Sequence, residues 1–273
     1  MFNQTCTLLE NKKVAPGHWV MKLRSKVIAK AAKPGQFVQI LCADGSCDPL
    51  LPRPFSFLNA KGDVFSILYH TVGQGTEFLS KRTKGSVLNV LGPLGNGFDI
   101  SSESGVRSSE TKILVGGGVG IPPLYHLAKT ILRNKSITKE NLHVFLGARN
   151  KSLLLCEKEF KKLGVNLLVA TNDGSKGLKG FVTSLLISFL RTPNSQLRTR
   201  IYTCGPTAML KAVSDISVKA KAACEVSVEV PMACGFGACL GCAIKVKKNE
   251  KEHRFAIACT EGPVFQASEI LWE

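Results

Sequence analysis

Between Val14 and Leu91 the apolar positions come in short runs, QFVQIL, FSFLNA, VFSILYHTV and SVLNVLG, each bounded by Gly, Pro, Asp or Asn. Runs of this length, punctuated by turn formers, predict strands joined by tight connections, and so an antiparallel barrel. From Asp99 to Glu110 the stretch DISSESGVRSSE has no periodic apolar positions and reads as a linker. The pattern then changes. TKILVG, LHVFLGA, NLLVAT and RIYTCG are each followed by a segment with helical spacing: one from Pro122, one near Leu153 to Leu163, FVTSLLISFL, and one from Thr207. Strand and helix in alternation predict a parallel sheet covered on both faces. CEVSVEV leads from there into a cysteine-rich loop and a tail ending EGPVFQASEILWE. The expected fold class is multidomain β and α/β, with a barrel over residues 1–100, a parallel-sheet domain over 101–224 and a small C-terminal subdomain over 225–273.

Composition narrows the function classes. With 44% hydrophobic and 21% charged residues in 273, the chain has enough apolar material for these cores and no low-complexity run. The formal charge of +16 invites a nucleic-acid reading, but the lysines are scattered along the chain and no basic arm or basic–aromatic run stands out. No nucleic-acid partner is expected. The most apolar windows, ILVGGGVGIPPL and FVTSLLISFL, fall short of the roughly 18 residues a spanning helix needs, so no membrane partner is expected either. The opening MFNQTCTLLENKK lacks a charged segment followed by an apolar one, and the expectation is a cytoplasmic protein without a secretory signal. In a reducing compartment the ten cysteines read as metal ligands or small buried groups and not as disulfides.

Four of them stand apart. In PMACGFGACLGCAIKV, Cys234, Cys239 and Cys242 have the spacing C-x4-C-x2-C, with Cys259 a further 16 intervening residues on. This is the order found in plant-type [2Fe–2S] proteins. Gly235, Gly237 and Gly241 suit a loop that wraps inorganic sulfide, since glycine reaches backbone conformations that leave N–H groups facing sulfur. Zinc is the rival, though its ribbons show two C-x2-C pairs where this chain has one. Cys6, Cys42, Cys47, Cys156 and Cys224 have no partner at ligand spacing and read as inert.

Three further motifs point to nucleotides. PRPFS sets Arg53 and Ser56 either side of Pro54 and Phe55 in an expected strand, and the planar fork of an arginine suits pyrophosphate, although a solvated surface arginine fits as well. GQGT brings Gly75 and Thr76 to the start of an expected helix, where backbone donors suit a phosphate. VGGGVGIPP, carrying Gly117, Gly118 and Gly120, sits at a strand-to-helix junction that favours a dinucleotide, but Pro123 stands where the third glycine of G-x-G-x-x-G would be. Cys204, Gly205 and Pro206 end a late strand, where open α/β sheets bind ligands; a buried cysteine before a turn is the plain alternative. GPLGNGF, Gly92 to Phe98, reads as a turn closing the barrel.

Taken in order, PRPFS, GQGT, GPLGNGF, VGGGVGIPP, CGP and MACGFGACLGC…CTEGPVF resemble the electron-transfer subunits of bacterial NAD-dependent (B-type) dihydroorotate dehydrogenases, within the wider ferredoxin-reductase-like superfamily. The resemblance implies FAD bound across Arg53, Pro54, Phe55 and Ser56, Leu68, Tyr69 and His70, and Gly75 with Thr76. It implies NAD beside Gly117, Gly118 and Gly120, with Cys204, Gly205 and Pro206 near the nicotinamide, and Cys234, Cys239, Cys242 and Cys259 as cluster ligands. It also implies an FMN-containing catalytic subunit as partner, two copies of each in a heterotetramer, and no oxidation of dihydroorotate by this chain alone. Two departures are visible: Phe55 replaces a tyrosine common among the broader reductases, and His70 stands where a basic residue is common. An NAD(P)-linked reductase subunit of a hydrogenase, glutamate synthase or ferredoxin system is the neighbouring reading, and a zinc-containing binding module the reading of a different class.

Overall fold

A computed structural model describes residues 1–43, 48–100, 110–133, 137–192, 199–249 and 251–272. Cys47 and residues 101–109 of the expected linker lie outside that set. The chain runs β1 (Phe2–Ala15), β2 (His18–Arg24), α1 (Lys26–Ala31), β3 (Phe37–Ile40), β4 (Arg53–Lys61), β5 (Val64–His70), α2 (Gln74–Ser80), β6 (Val87–Leu94), β7 (Thr111–Gly117), α3 (Ile121–Arg133), β8 (Leu142–Ala148), α4 (Glu157–Leu163), β9 (Asn166–Thr171), β10 (Leu178–Lys179), α5 (Val182–Leu190), β11 (Thr199–Cys204), α6 (Thr207–Lys219), β12 (Ala223–Ser227), β13 (Ala243–Lys247), β14 (His253–Ile257) and β15 (Val264–Gln266).

The first six strands close a barrel in the order β1-β2-β5-β4-β3-β6. Alternation along each strand fills it: Leu8, Met21, Leu23, Val38, Ile40, Phe55, Phe57, Phe65, Ile67 and Tyr69 share the interior. The opposite face of β4 and β5 is not wasted on solvent, because Leu58 and Leu68 pack with Leu124 and Leu127 of α3. The barrel begins at Phe2, earlier than the apolar runs indicate. In β1 only Cys6 and Leu8 are buried, set among Asn, Gln, Thr, Glu and Lys, a pattern too polar to stand out in sequence.

The second sheet has the order β10-β9-β8-β7-β11-β12-β15. Its central strand β7 is buried at every residue, as a parallel strand covered on both faces must be. The register brings Gly116 of β7 opposite Cys204 of β11, so the glycine turn and the Cys-Gly-Pro turn leave the sheet side by side. The helix expected from Leu153 is shorter, a turn at Lys151–Leu153 followed by α4 from Glu157. The expected division at 224/225 falls inside β12, and β15, drawn from the tail, pairs with β12 at the edge of the same sheet. Among the strands of the described residues, only the hairpin of β13 and β14 stands outside both sheets. Glu225 of β12 accepts a hydrogen bond from the Asp99 backbone at 2.9 Å and faces Arg200 at 3.4 Å, tying the exit of the barrel to the sheet.

His126 on α3 meets Phe57 edge-on at the junction of barrel and sheet. It is 6% exposed, and its Nδ1 has no hydrogen-bond partner. Burial, with Lys129 and Arg133 adding repulsion, pushes its pKa from 6.5 down to about 4. The folded chain thus holds a neutral imidazole where the unfolded chain binds a proton, so stability falls as pH drops from 6.5 towards 4. The expected loss over that window is about 3 kcal/mol. Thermal melts at pH 7 and 5 check it, and His126→Leu should flatten the difference.

Candidate cofactor sites

The cysteine loop owes its shape to the hairpin behind it. Cys242 immediately precedes β13 and Cys259 follows β14 by one residue, and the pairing of Ala243 with Ile257 brings the two ends of the 16-residue gap together. The Ala258 N–H donates to the Cys242 carbonyl at 3.1 Å, and the Cys259 N–H to the Cys242 sulfur at 3.4 Å. On the other side of the loop the Cys239 N–H donates to Cys234 Sγ at 3.4 Å and the Gly241 N–H to Cys239 Sγ at 3.5 Å. Gly235 and Gly237 take φ values of +79° and +90°, the left-handed region that turns successive N–H groups inward. Leu240 is held there too, at φ +56°, which for a side chain with a Cβ costs about 1–2 kcal/mol.

These contacts act on the thiols in opposite directions. Burial opposes ionisation of Cys234, but N–H donors from Cys239, Phe236 and Ala238 and the Cys239 thiol together hold its pKa down to about 6. Burial and the adjacent Cys242 push Cys259 up to about 12. Among the described residues no three His, Cys, Asp or Glu side chains gather closely enough for one metal ion. Four soft sulfurs arranged as two neighbouring pairs, each fed by backbone N–H groups, fit a diiron cluster, whose ligands divide between two irons. Cys6 and Cys42, by contrast, are buried with pKa values pushed up to about 11, and Cys224 to about 12, as befits inert thiols.

PRPFS and GQGT come together at one end of the barrel. A Cβ on Gly75 would lie 3.5 Å from both Cγ and Nε of Arg53, so the arginine stem crosses the first turn of α2. Thr76 caps that turn: its hydroxyl accepts from the N–H groups of Val72 (2.9 Å) and Gly73 (3.3 Å) and donates to the Gly73 carbonyl. Strand alternation sorts the remaining residues. Phe55 and Tyr69 face the barrel interior, edge to face at 5.8 Å, and Tyr69 donates to Asn11 Oδ1. With their rings turned inward, these two would meet a flavin outside the barrel only through backbone or a ring edge. Pro54, Ser56 and Leu68 lie on the other face, and the exposed His70 stacks on His18 at 4.3 Å.

At the sheet, Gly117, Gly118, Gly120, Cys204, Gly205 and Pro206 form one seam. A Cβ on Gly120 would collide with the backbone of Cys204 and Gly205, 2.5 Å from the Cys204 carbonyl oxygen, and one on Gly117 would stand 3.0 Å from Met209 Sδ. Cys204 is buried and its pKa is pushed up to about 12 by burial, so it is a neutral thiol. The Gly118–Gly120 turn touches β5, the strand that carries Leu68 to His70. A cavity of about 840 Å³, lined by Lys33, Gln36, Lys61 and His126 among others, lies at the end of β4 remote from Arg53 and contains none of these residues.

Two positions that sequence reading passed over join the sites. Asn96, in the stretch read as a turn, takes the Gly262 carbonyl on its backbone N–H and the Thr260 and Glu261 carbonyls on its amide. GPLGNGF is thus the seam between barrel and cysteine region. Gln39, polar within the apolar run QFVQIL, lies against Gly235, and that polarity in a buried strand was the available signal.

Comparison with known proteins agrees with this layout. Residues 229–271 match the iron–sulfur cluster binding domain of dihydroorotate dehydrogenase B, and residues 114–215 match the oxidoreductase NAD-binding domain. The chain is 39% identical over 269 residues to the dihydroorotate dehydrogenase B (NAD(+)) electron transfer subunit of Fusobacterium nucleatum, covering 98% of each. It is 38% identical over 265 residues to that of Caldanaerobacter subterraneus, covering 97% of each. Among solved structures, a chain of the NADH-dependent reduced ferredoxin-NADP oxidoreductase, described for flavin-based electron bifurcation, superposes with a TM-score of 0.83 at 29% identity, covering 98% of this chain and 90% of that one. The cytochrome b5 reductase domain of Ulva prolifera nitrate reductase, at 18% identity and a TM-score of 0.64, shares the fold. A [2Fe–2S] cluster, FAD and NAD are the cofactors that go with these domains and this ferredoxin-reductase-like fold. Identity of this order over nearly the full length settles membership: the chain belongs to the family of electron transfer subunits of dihydroorotate dehydrogenase B (NAD(+)).

Proposed function

We propose that the chain carries electrons from the FMN of a separate catalytic subunit, which oxidises dihydroorotate, by way of a [2Fe–2S] cluster and FAD to NAD, in a cytoplasmic heterotetramer with two copies of each subunit. The observation that carries this reading is the order of the sites in space. Gly235 of the cysteine loop lies against β3, β3 pairs with the PRPFS strand β4, and β5, next to β4, touches the Gly118–Gly120 turn. A flavin there supplies the exchange between one-electron transfer at iron and two-electron hydride transfer to NAD. The chain's own residues do the rest. Cys234, Cys239, Cys242 and Cys259 hold the cluster; Arg53 and the capped turn at Gly75 and Thr76 hold the flavin pyrophosphate; Gly117, Gly118 and Gly120 let the dinucleotide reach the backbone, with Cys204, Gly205 and Pro206 beside the nicotinamide. A neutral Cys204 packs there without adding charge.

The test is reconstitution under anaerobic conditions. The loaded chain alone should pass electrons from NADH to a dye and leave dihydroorotate untouched; with the catalytic subunit, dihydroorotate should reduce NAD. Oxidation of dihydroorotate by the chain alone, or no NAD reduction by the assembled pair, overturns the reading. Similarity to the ferredoxin-NADP oxidoreductase chain favours a ferredoxin-linked subunit as the second reading. Copurification separates the two by the partner recovered.

A further inference from the structure

Among the described residues five buried side-chain atoms lack a hydrogen-bond partner, and two of them are the oxygen and the nitrogen of a single amide, Gln39. Gln39 is 1% exposed. It lies on β3 opposite Pro54 of β4 and Leu91 of β6. Its strand neighbours Val38 and Ile40 point into the barrel. Phe37, on the face Gln39 shares, packs in the cluster of side chains that includes Cys242 and Cys259. The amide therefore leaves the barrel towards the cysteine loop. Gly235 records the contact, since a Cβ there would stand 2.6 Å from Gln39 Cγ and 2.6 Å from Nε2. Gly235 directly follows Cys234.

A leucine or methionine would fill this position without stranding a donor and an acceptor, and native interiors leave few such groups unpaired. Thiolate and inorganic sulfide are acceptors that never donate, and Nε2 is the amide atom beside Gly235. The group missing on that side is thus an acceptor of the kind a cluster sulfur provides. We propose that Gln39 donates from Nε2 to a sulfur at the Cys234 corner of the [2Fe–2S] cluster and thereby raises the cluster's reduction potential, an inference that rests on the cofactor assignment above. A donor aimed at sulfur stabilises the extra negative charge of the reduced centre, and hydrogen bonds to sulfur are a main determinant of cluster potential. Gln39 is in this sense a positioning and tuning residue, standing between the cluster loop and the strand that carries PRPFS.

The experiment compares the full, anaerobically loaded chain with Gln39→Leu and Gln39→Met. Iron and acid-labile sulfide are counted, and the cluster is titrated by low-temperature paramagnetic resonance with the flavin bands as internal reference. The expected result is a shift of the cluster midpoint to lower potential in both variants, with altered g-values and an unmoved flavin reference. A loaded variant that keeps the wild-type midpoint overturns the inference. Gln39→Met, unbranched and of similar reach, carries the readout where Gln39→Leu holds too little iron. A wild-type chain without any dithionite-induced signal overturns the cofactor assignment instead, so the two failures are told apart.

Discussion

Cys259→Ser is expected to yield a folded chain that keeps FAD but lacks both cluster absorption and the paramagnetic signal induced by dithionite. In the assembled complex its transfer from dihydroorotate to NAD should fall to background, while electron flow from NADH to a dye persists. The size of the effect follows from geometry. Of the four proposed ligands Cys259 alone comes from beyond the β13–β14 hairpin, its N–H donates to Cys242 Sγ, and it is 2% exposed, so its sulfur is held in place beside Cys242. A serine oxygen is a harder, more basic ligand that iron–sulfur chemistry does not favour over thiolate. Cys224→Ser is the matched control. It too is a buried thiol, and its hydroxyl needs a hydrogen bond in the core, so the change should cost about 1–3 kcal/mol of stability and leave the signal intact. Loss of the signal in both variants, or in neither, removes the assignment of Cys259 as the fourth ligand.

The comparison of these two cysteines shows what sequence discloses about a site. Spacing separates Cys234, Cys239 and Cys242 from the rest because three cysteines on one short loop leave a local signature. The distance to Cys259 is readable as a number, but the hairpin that cancels it is not, since β13 and β14 are short and β14 exposes His253, Arg254 and Phe255. The barrel and the parallel sheet are legible where strands are apolar and repeated. β1 escapes because Cys6 and Leu8 alone of its 14 residues are buried, and β15 because three residues carry no periodic signal. Motifs likewise name the flavin and dinucleotide turns without saying which side chains face outward. The parity of β4 and β5 decides that, sending Phe55 and Tyr69 into the barrel and Ser56 and Leu68 out of it. Gln39 and Asn96 are illegible for a deeper reason: their roles lie in contacts with residues well over a hundred positions away, and one polar residue in a strand has many ordinary explanations.

Gly120→Ala should raise the KM for NADH about tenfold or more while the flavin and cluster spectra stay as in the wild type. The added methyl would fall on the backbone of Cys204 and Gly205, 2.5 Å from the Cys204 carbonyl oxygen, and backbone cannot rotate aside as a long side chain would. The two turns must separate, and they are the pair that the β7–β11 register holds at the ligand-binding edge of the sheet. Overpacking of this kind costs about 1–3 kcal/mol. Displacing the N–H groups at the start of α3 by even one hydrogen bond's worth of affinity, about 1.4 kcal/mol, raises the Kd for NADH about tenfold. Gly118→Ala supplies the contrast. Gly118 has φ +56° and nothing within 4 Å of the would-be methyl, so its penalty is conformational, about 1–2 kcal/mol, and the seam between Gly120 and Cys204 stays closed. Steady-state NADH–dye kinetics beside a thermal melt discriminate the two. If Gly120→Ala binds NADH as the wild type does, the contact between the two turns is not what shapes the dinucleotide site, and the alignment of Gly117, Gly118 and Gly120 with Cys204, Gly205 and Pro206 has to be given another meaning.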